Sequence, residues 1–349
     1  MTPEPVQPSR VRPAWFAVAV AGLAGAALVG MLVGPVPLEV GGVLTELVDR
    51  LPGVDVGPGL ADRDATILLE LRLPRVILGG LVGSTLALAG AAYQGVFRNP
   101  LADPYLLGAA AGAGLGATLV IAYGPDATTW PVDPLPVAAF AGAVLGVAAA
   151  YALGRTAAQV RTTATLLLAG VAVASFLTAI QTFIQQRHDD TLREVYSWIL
   201  GRLGTVGWGE VAVILPYVAV SAAAILLHRR LLDVLSVGDE EAESVGVRAG
   251  RVRLIVVLAA TMGTAAAVAV SGLIGFVGIV VPHTVRLIVG SSYRRVLPLS
   301  FVFGAAFLIL ADLLARVTLA PAELPIGVIT AFFGAPFFVV VLRRTRRVA

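Results

Sequence analysis

LRLPRVILGGLVGSTLALAGAAYQGVFRNPLADPYLLGAAAGAGLG occupies residues 71–116, and no charged side chain interrupts it between Arg75 and Arg98. That uncharged run exceeds the ~20 residues a helix needs to cross a ~30 Å hydrocarbon layer. Arginines bracket it at both ends, where a spanning helix meets the polar interface. It is followed by a polar elbow, Arg98–Asp103, and a second apolar segment. This alternation of apolar run and short charged elbow decides the fold class.

The pattern recurs along the chain. Apolar segments lie at approximately 14–34, 73–96, 104–123, 135–153, 164–186, 210–228, 253–271, 275–290, 296–315 and 326–342. Hydrophobic residues make up 58% of the 349 and charged residues only 13%, against roughly 25% charged in a soluble domain. A soluble fold of this size could not cover its surface with so few charges. The expectation is an all-α polytopic membrane protein of about ten transmembrane helices. A single transmembrane domain covers 14–342, with polar tails at 1–13 and 343–349. The first apolar run is too long for a signal-peptide core and lacks a clear small-residue cleavage site, so it reads as a retained span. The span at 275–290 is interrupted by Pro282. TLREVYSWILGRL (191–203) is too short and too charged to cross, and reads as a helix lying at the interface.

All 25 basic residues are arginine. A G-x-x-x-x-G-K-[ST] phosphate loop requires a lysine, so the chain carries no ATPase site of that kind. The absence of cysteine excludes disulfides, thiolate metal sites and thiol nucleophiles. No G-x-S-x-G or H-E-x-x-H motif occurs. The net charge of +3 is explained by arginines at loop ends rather than by nucleic acid, and no nucleic-acid partner is expected. With a cytoplasmic N-terminus and ten spans, 17 of the 25 arginines fall on the inner side, as the positive-inside rule requires. Both termini then face the cytoplasm, the acidic segment 35–70 lies outside, and the charged loop 229–252 lies inside.

The span interiors offer little to an ion-coupled carrier, which needs ionisable groups near the midplane. Asp312 and Arg316 stand four apart on one helix face and are expected to pair. His283 reads as a polar contact at a helix break rather than a metal ligand. Glycines four apart (Gly30/Gly34, Gly79/Gly83, Gly108/Gly112/Gly116, Gly142/Gly146) suit close helix packing in lipid. In the inner loop, the acids Asp239, Glu240 and Glu241 favour a helix N-terminus, and Gly246 is a natural stop. A short helix there is able to dock into a groove on a soluble partner; composition alone is equally compatible with a solvated loop.

Several longer words then become specific. Residues 71–116 resemble the opening half of the FecCD-type permeases, the membrane subunits of ABC importers for iron siderophores, haem and vitamin B12. So do TLLLAGVA (165–172), GDEEAESVGV (238–247), SGLIGFVGIVVPHTVRLIVG (271–290), ADLLAR (311–316) and APAELPIGVITAFFGAPFF (320–338), in the family's order. The resemblance runs from about residue 70 to the end. It implies a type II ABC importer permease: ten helices per subunit in the cytoplasmic membrane, two permeases side by side, and two cytoplasmic ATPases that bind the ATP and Mg. The chain itself is then neither an enzyme nor a cofactor carrier.

The resemblance also assigns roles. GDEEAESVGV implies an ATPase-coupling element at Asp239, Glu240, Glu241, Ala242, Val245, Gly246 and Val247. LRLPR and ADLLAR imply that Arg72, Arg75 and Arg316 receive carboxylates of an extracytoplasmic substrate-binding protein; interfacial anchoring is the plainer reading of Arg72 and Arg75. The loop before TLLLAGVA implies a cytoplasmic gate at Thr162, Thr163 and Ala164, with alanine where a relative carries a hydroxyl. The expected function is import of an iron(III)-siderophore complex by a homodimer, with haem or cobalamin as alternative cargo and a heterodimer as the alternative assembly.

Overall fold

The computed structural model describes residues 13–124, 133–156, 163–204 and 207–345. These are almost entirely helical, with no strand among the described residues. Seven helices are long and apolar enough to cross a membrane, and three shorter apolar helices accompany them. In chain order, α1 (Pro13–Leu32) leads through the interfacial α2 (Val40–Asp49) to α3 (Asp62–Thr66), which runs by a π turn (Ile67–Arg72) into α4 (Leu73–Phe97). Then come α5 (Ala109–Tyr123), α6 (Pro134–Thr156), α7 (Thr163–Arg187), α8 (Leu192–Ile199) and α9 (Gly209–Leu227). The inner loop holds α10 (Arg229–Leu235) and α11 (Asp239–Ser244). It is followed by α12 (Ala249–Ser271), α13 (Val277–Val289), α14 (Tyr293–Val317) and α15 (Ile326–Thr345).

α4 is the axis of the bundle. It packs against α9, α12, α13 and α14, and 83% of its most apolar window is buried. Small residues permit this. A Cβ built on Gly83 falls 2.2 Å from the Gly304 carbonyl oxygen of α14, so only glycine lets the two backbones approach so closely. On the neighbouring pair, a Cβ on Gly142 of α6 falls 2.1 Å from the Gly112 carbonyl oxygen of α5. The four-residue glycine spacing in the sequence is therefore a packing face.

Three boundaries differ from the sequence reading. The outer loop expected at 35–70 ends at 61, because α3, the π turn and α4 form one helix of 36 residues, about 54 Å long. Asp62 and Asp64 stand in its first turn, where carboxylates are favoured, so charges that suggested a loop belong to the start of a long helix. The span expected at 104–123 starts at Ala109. Asp103 caps a short 3₁₀ turn (Pro104–Leu107) by accepting from the Tyr105 N–H, and Gly108 turns left-handed with φ +85°.

The third difference concerns Pro282, which lies within α13 without ending it. Proline removes the N–H that would bond the carbonyl four residues back, here Gly278. That carbonyl instead accepts from Gln94 Nε2 at 3.0 Å, and Gln94 Oε1 accepts from Arg286 Nη1. A side-chain amide of α4 thus fills the gap left by the proline, as an intramembrane backbone group requires.

Within the expected helix 191–203, α8 buries Val195 and Trp198 and leaves Tyr196 exposed; α11 forms where the acids start.

Candidate coupling, docking and conduit sites

In the charged loop between α9 and α12, α11 opens with three acids and is followed by Gly246, whose φ is +82°. The Gly246 and Val247 amides donate to the Glu243 and Ala242 carbonyls, closing the turn as helix C-termini do. Glu240, Glu241, Val245 and Gly246 are exposed, and Val245 retains 67% of its accessible surface. Asp239 and Ala242 face the other way. Ala242 is buried, and Val247 packs against the core.

Asp239 fastens α11 to two spanning helices. It accepts from Arg98, the left-handed cap of α4, and from Arg253 of α12 at 3.1 and 3.2 Å. Arg98 Nε also donates to the Leu235 carbonyl of α10 at 2.7 Å. Asp233 of α10 accepts from the Ser292 hydroxyl and the Tyr293 N–H at the start of α14. Two carboxylates therefore tie this surface segment to α4, α12 and α14. The sequence reading grouped Asp239, Ala242 and Val247 with Glu240, Glu241, Val245 and Gly246 as one coupling element; the structure turns the first three toward the bundle and adds Arg98, Arg253 and Asp233 as their neighbours. The signal for these was available: an arginine at a helix elbow beside an acidic loop on the same membrane side.

At the opposite end of the bundle the three predicted arginines lie close together in different states. Arg72 is buried, and its guanidinium donates to the carbonyls of Met31, Leu32 and Val36. It thereby satisfies the last carbonyls of α1. Arg316 is also buried, paired with Asp312 at 3.0 Å as the spacing predicted, and donates to the Gly30 carbonyl. Arg75 is the one nearest the surface. It makes a forked pair with buried Asp312, with contacts of 2.8 to 3.1 Å. A second forked pair joins it to the half-exposed Glu323 at 2.8 and 2.9 Å. The Arg75 hydrogen bond holds the Glu323 carboxyl below its ordinary range, against a smaller opposing effect of burial. Planar, bidentate geometry of this kind is what arginine provides and lysine does not. Glu323, to which the sequence assigned no role, completes the cluster.

A candidate conduit face lies on α7. Leu168, Val171, Phe176 and Phe183 are exposed there. A cavity of about 830 Å³ opens between α7 and the 3₁₀ turn, lined by Asp103, Tyr105, Val171, Ser175, Thr178 and Thr182. Small residues and hydroxyls dominate the wall. Burial pushes the Asp103 carboxyl up to about 6, while the Tyr105 amide acts in the opposite direction. Of the gate residues, Thr162 lies outside the described residues, as does the Thr163 side chain; Ala164 is exposed in the first turn of α7. His283 packs edge-on to Phe337, with ring centroids 5.7 Å apart. Among the described residues no three His, Cys, Asp or Glu gather as a metal site.

Residues 22–344 match the FecCD transport family model. The chain is 42% identical over 285 residues to the cobalamin import system permease protein BtuC of Halobacterium salinarum, covering 82% of this chain and 75% of that one. It is 36% identical over 327 residues to the Fe(3+) dicitrate transport system permease protein FecD of Escherichia coli, covering 93% and 96%. Its fold superposes with a TM-score of 0.82, at 26% identity, on an inward-facing chain assigned to a metal-chelate type ABC transporter, covering 95% of this chain and all of that one. An axial helix buried by close-packed glycines, a short loop helix clamped to two spans and a family match over nearly the whole length agree: the chain belongs to the FecCD transport family, the multi-pass membrane permeases of ABC importers.

Proposed function

We propose that two copies of this chain form the conduit through which a ferric siderophore crosses the cytoplasmic membrane, with both termini in the cytoplasm. A separate ATPase subunit binds ATP and Mg, and an extracytoplasmic binding protein delivers the cargo. The observation that carries this reading is the two-sidedness of α11: it exposes Glu240, Glu241 and Val245 while Asp239 joins it to α4 and α12. Such an element is built to be pushed. Closure of an ATPase pair against the exposed side displaces α11, and rigid spans carry the displacement to the α7 face.

Delivery is assigned to the outer arginine cluster. Arg75, already forked to two carboxylates, is the group placed to receive one from a docked protein; Arg72 and Arg316 hold the surrounding backbone and Asp312 in place. The α7 cavity wall of small residues and hydroxyls suits a large chelate that must leave as readily as it enters. Thr163 and Ala164 at the start of α7 form the inner constriction, closing by packing of small side chains.

A second reading of the cargo, cobalamin, is favoured by the 42% identity to a cobalamin import permease; haem is the remaining alternative. The test is uptake into proteoliposomes with the ATPase and binding proteins from the same organism, comparing ferric hydroxamate, haem and cyanocobalamin. Accumulation of the ferric chelate supports the first reading, and accumulation of cobalamin alone replaces it with the second. Cross-linking Thr163→Cys across two identical copies should arrest uptake. Failure to form a cross-link with itself, but formation with a related permease, replaces the homodimer with a heterodimer.

A further inference from the structure

A groove between α6 and α12 lies apart from the coupling, docking and conduit sites. It encloses about 560 Å³. Val144, Ala148, Ala152 and Arg155 line it from α6, and Leu254 and Leu258 line it from α12. Spacings of three and four residues place each set on one helix face. Ala148 and Ala152 leave room opposite the two leucines, of which Leu258 retains 59% of its accessible surface.

The dimensions and the charge identify an occupant. From Val144 to Arg155 the helix rises about 16 Å, close to half a ~30 Å hydrocarbon layer, so the groove is one leaflet deep. Its far end is apolar but for Thr261, whose hydroxyl is bonded to Tyr93. Its cytoplasmic end carries Arg155, whose guanidinium carbon stands 5.9 Å from the Tyr151 ring centroid. That contact holds the cation at the mouth. Among the described residues Arg155 forms no ion pair, and the first turn of α12 brings no acid to it.

We infer that this groove binds an anionic phospholipid of the cytoplasmic leaflet, with one acyl chain between α6 and α12 and the phosphate on Arg155. The inference rests on the orientation that places the end of α6 in the cytoplasm, and not on the cargo. An apolar slot of leaflet depth ending in an unpaired cation matches an amphiphile whose head is negative. Basic mouths between spanning helices on this side of a membrane select such heads.

The full chain, in nanodiscs of equal dioleoylphosphatidylglycerol and dioleoylphosphatidylcholine, is released into detergent and its retained lipid counted by native mass spectrometry. Phosphatidylglycerol should be retained in preference to phosphatidylcholine by about fivefold, the equivalent of one surface arginine. Arg155→Gln should abolish the preference and Arg155→Lys should keep it. Ala148→Trp should exclude lipid of both kinds by filling the slot. Arg187, which stands over the Phe183 ring at the same 5.9 Å on the other side of the bundle, supplies the control: Arg187→Gln should retain the preference. Three results overturn the inference: unchanged preference in Arg155→Gln, displacement of phosphatidylglycerol by inorganic phosphate alone, or an Ala148→Trp variant that dissociates a dimer while keeping its lipid. The last would place a second copy of the chain in the groove.

Discussion

Arg98 and Asp239 join the end of the buried axial helix α4 to the start of the short surface helix α11. Arg98 terminates α4 in a left-handed conformation, φ 48°, and its guanidinium reaches both the Leu235 carbonyl and the Asp239 carboxylate. A displacement of α11 therefore acts directly on the axis of the bundle. The consequence is measurable. Asp239→Asn should leave ATPase binding intact, because Glu240, Glu241 and Val245 still face outward, but lower the uptake obtained per ATP hydrolysed. Asp239 is nearly half exposed, so the lost pairing is worth about 1 kcal/mol, or about fivefold. Equal loss of ATPase binding and uptake would instead make Asp239 a docking residue.

The outer cluster yields a prediction of opposite sign at two neighbouring residues. Glu323 occupies the face of Arg75 that an incoming carboxylate needs. Arg75→Ala should weaken binding-protein docking about tenfold, the cost of about one charge-assisted contact. Glu323→Gln should tighten it about threefold by removing the competitor, since the pair it breaks is partly exposed and weak. Titration of the binding protein onto nanodisc-embedded permease checks both, and tightening by neither variant but weakening by both would make the cluster purely structural.

The same pair fixes a pH dependence. The folded Glu323 carboxyl is held below its ordinary range by Arg75, so its stabilising contribution is complete above the usual glutamate pKa of about 4.3. It is lost as pH falls through the lowered folded value. Wild type and Glu323→Gln, compared by thermal unfolding, should differ by a constant amount from about pH 5 to 7 and converge as the pH is taken below the usual glutamate range. A difference that grows on acidification would contradict the pairing.

Packing makes a sharper demand. Gly142→Val places a branched side chain where a Cβ already meets the Gly112 carbonyl oxygen at 2.1 Å. Neither backbone has a side chain to move aside, so overpacking should cost about 1–3 kcal/mol. Gly22→Val on α1, whose Cβ meets nothing within 4 Å, should be close to neutral. Unfolding midpoints in one detergent compare the two directly.

How much of this was legible in the sequence depends on the kind of interaction. Spans were legible because a hydrocarbon layer imposes a length and an uncharged run, as in residues 76–97. The Asp312–Arg316 pair was legible because four residues make one helical turn. The glycine face between α5 and α6 was legible as spacing, though not as to which helices meet. Pairings across the bundle were not. Arg75 and Asp312 are separated by more than two hundred positions, and only the packing of α14 on α4 brings them together. Likewise Arg72 reads as a surface anchor until α1 ends beside it with its carbonyls unpaired. Pro282 looked like a break because nothing local shows that Gln94 of another helix satisfies the freed Gly278 carbonyl.

Proteoliposomes containing this chain, loaded with ATP and offered ferric hydroxamate outside, measure the central claim most directly. Uptake should be absent with the permease alone and appear only when the ATPase is assembled on its inner face and the binding protein is supplied at its outer face. Accumulation by the permease alone, driven by a proton or sodium gradient, would contradict the account.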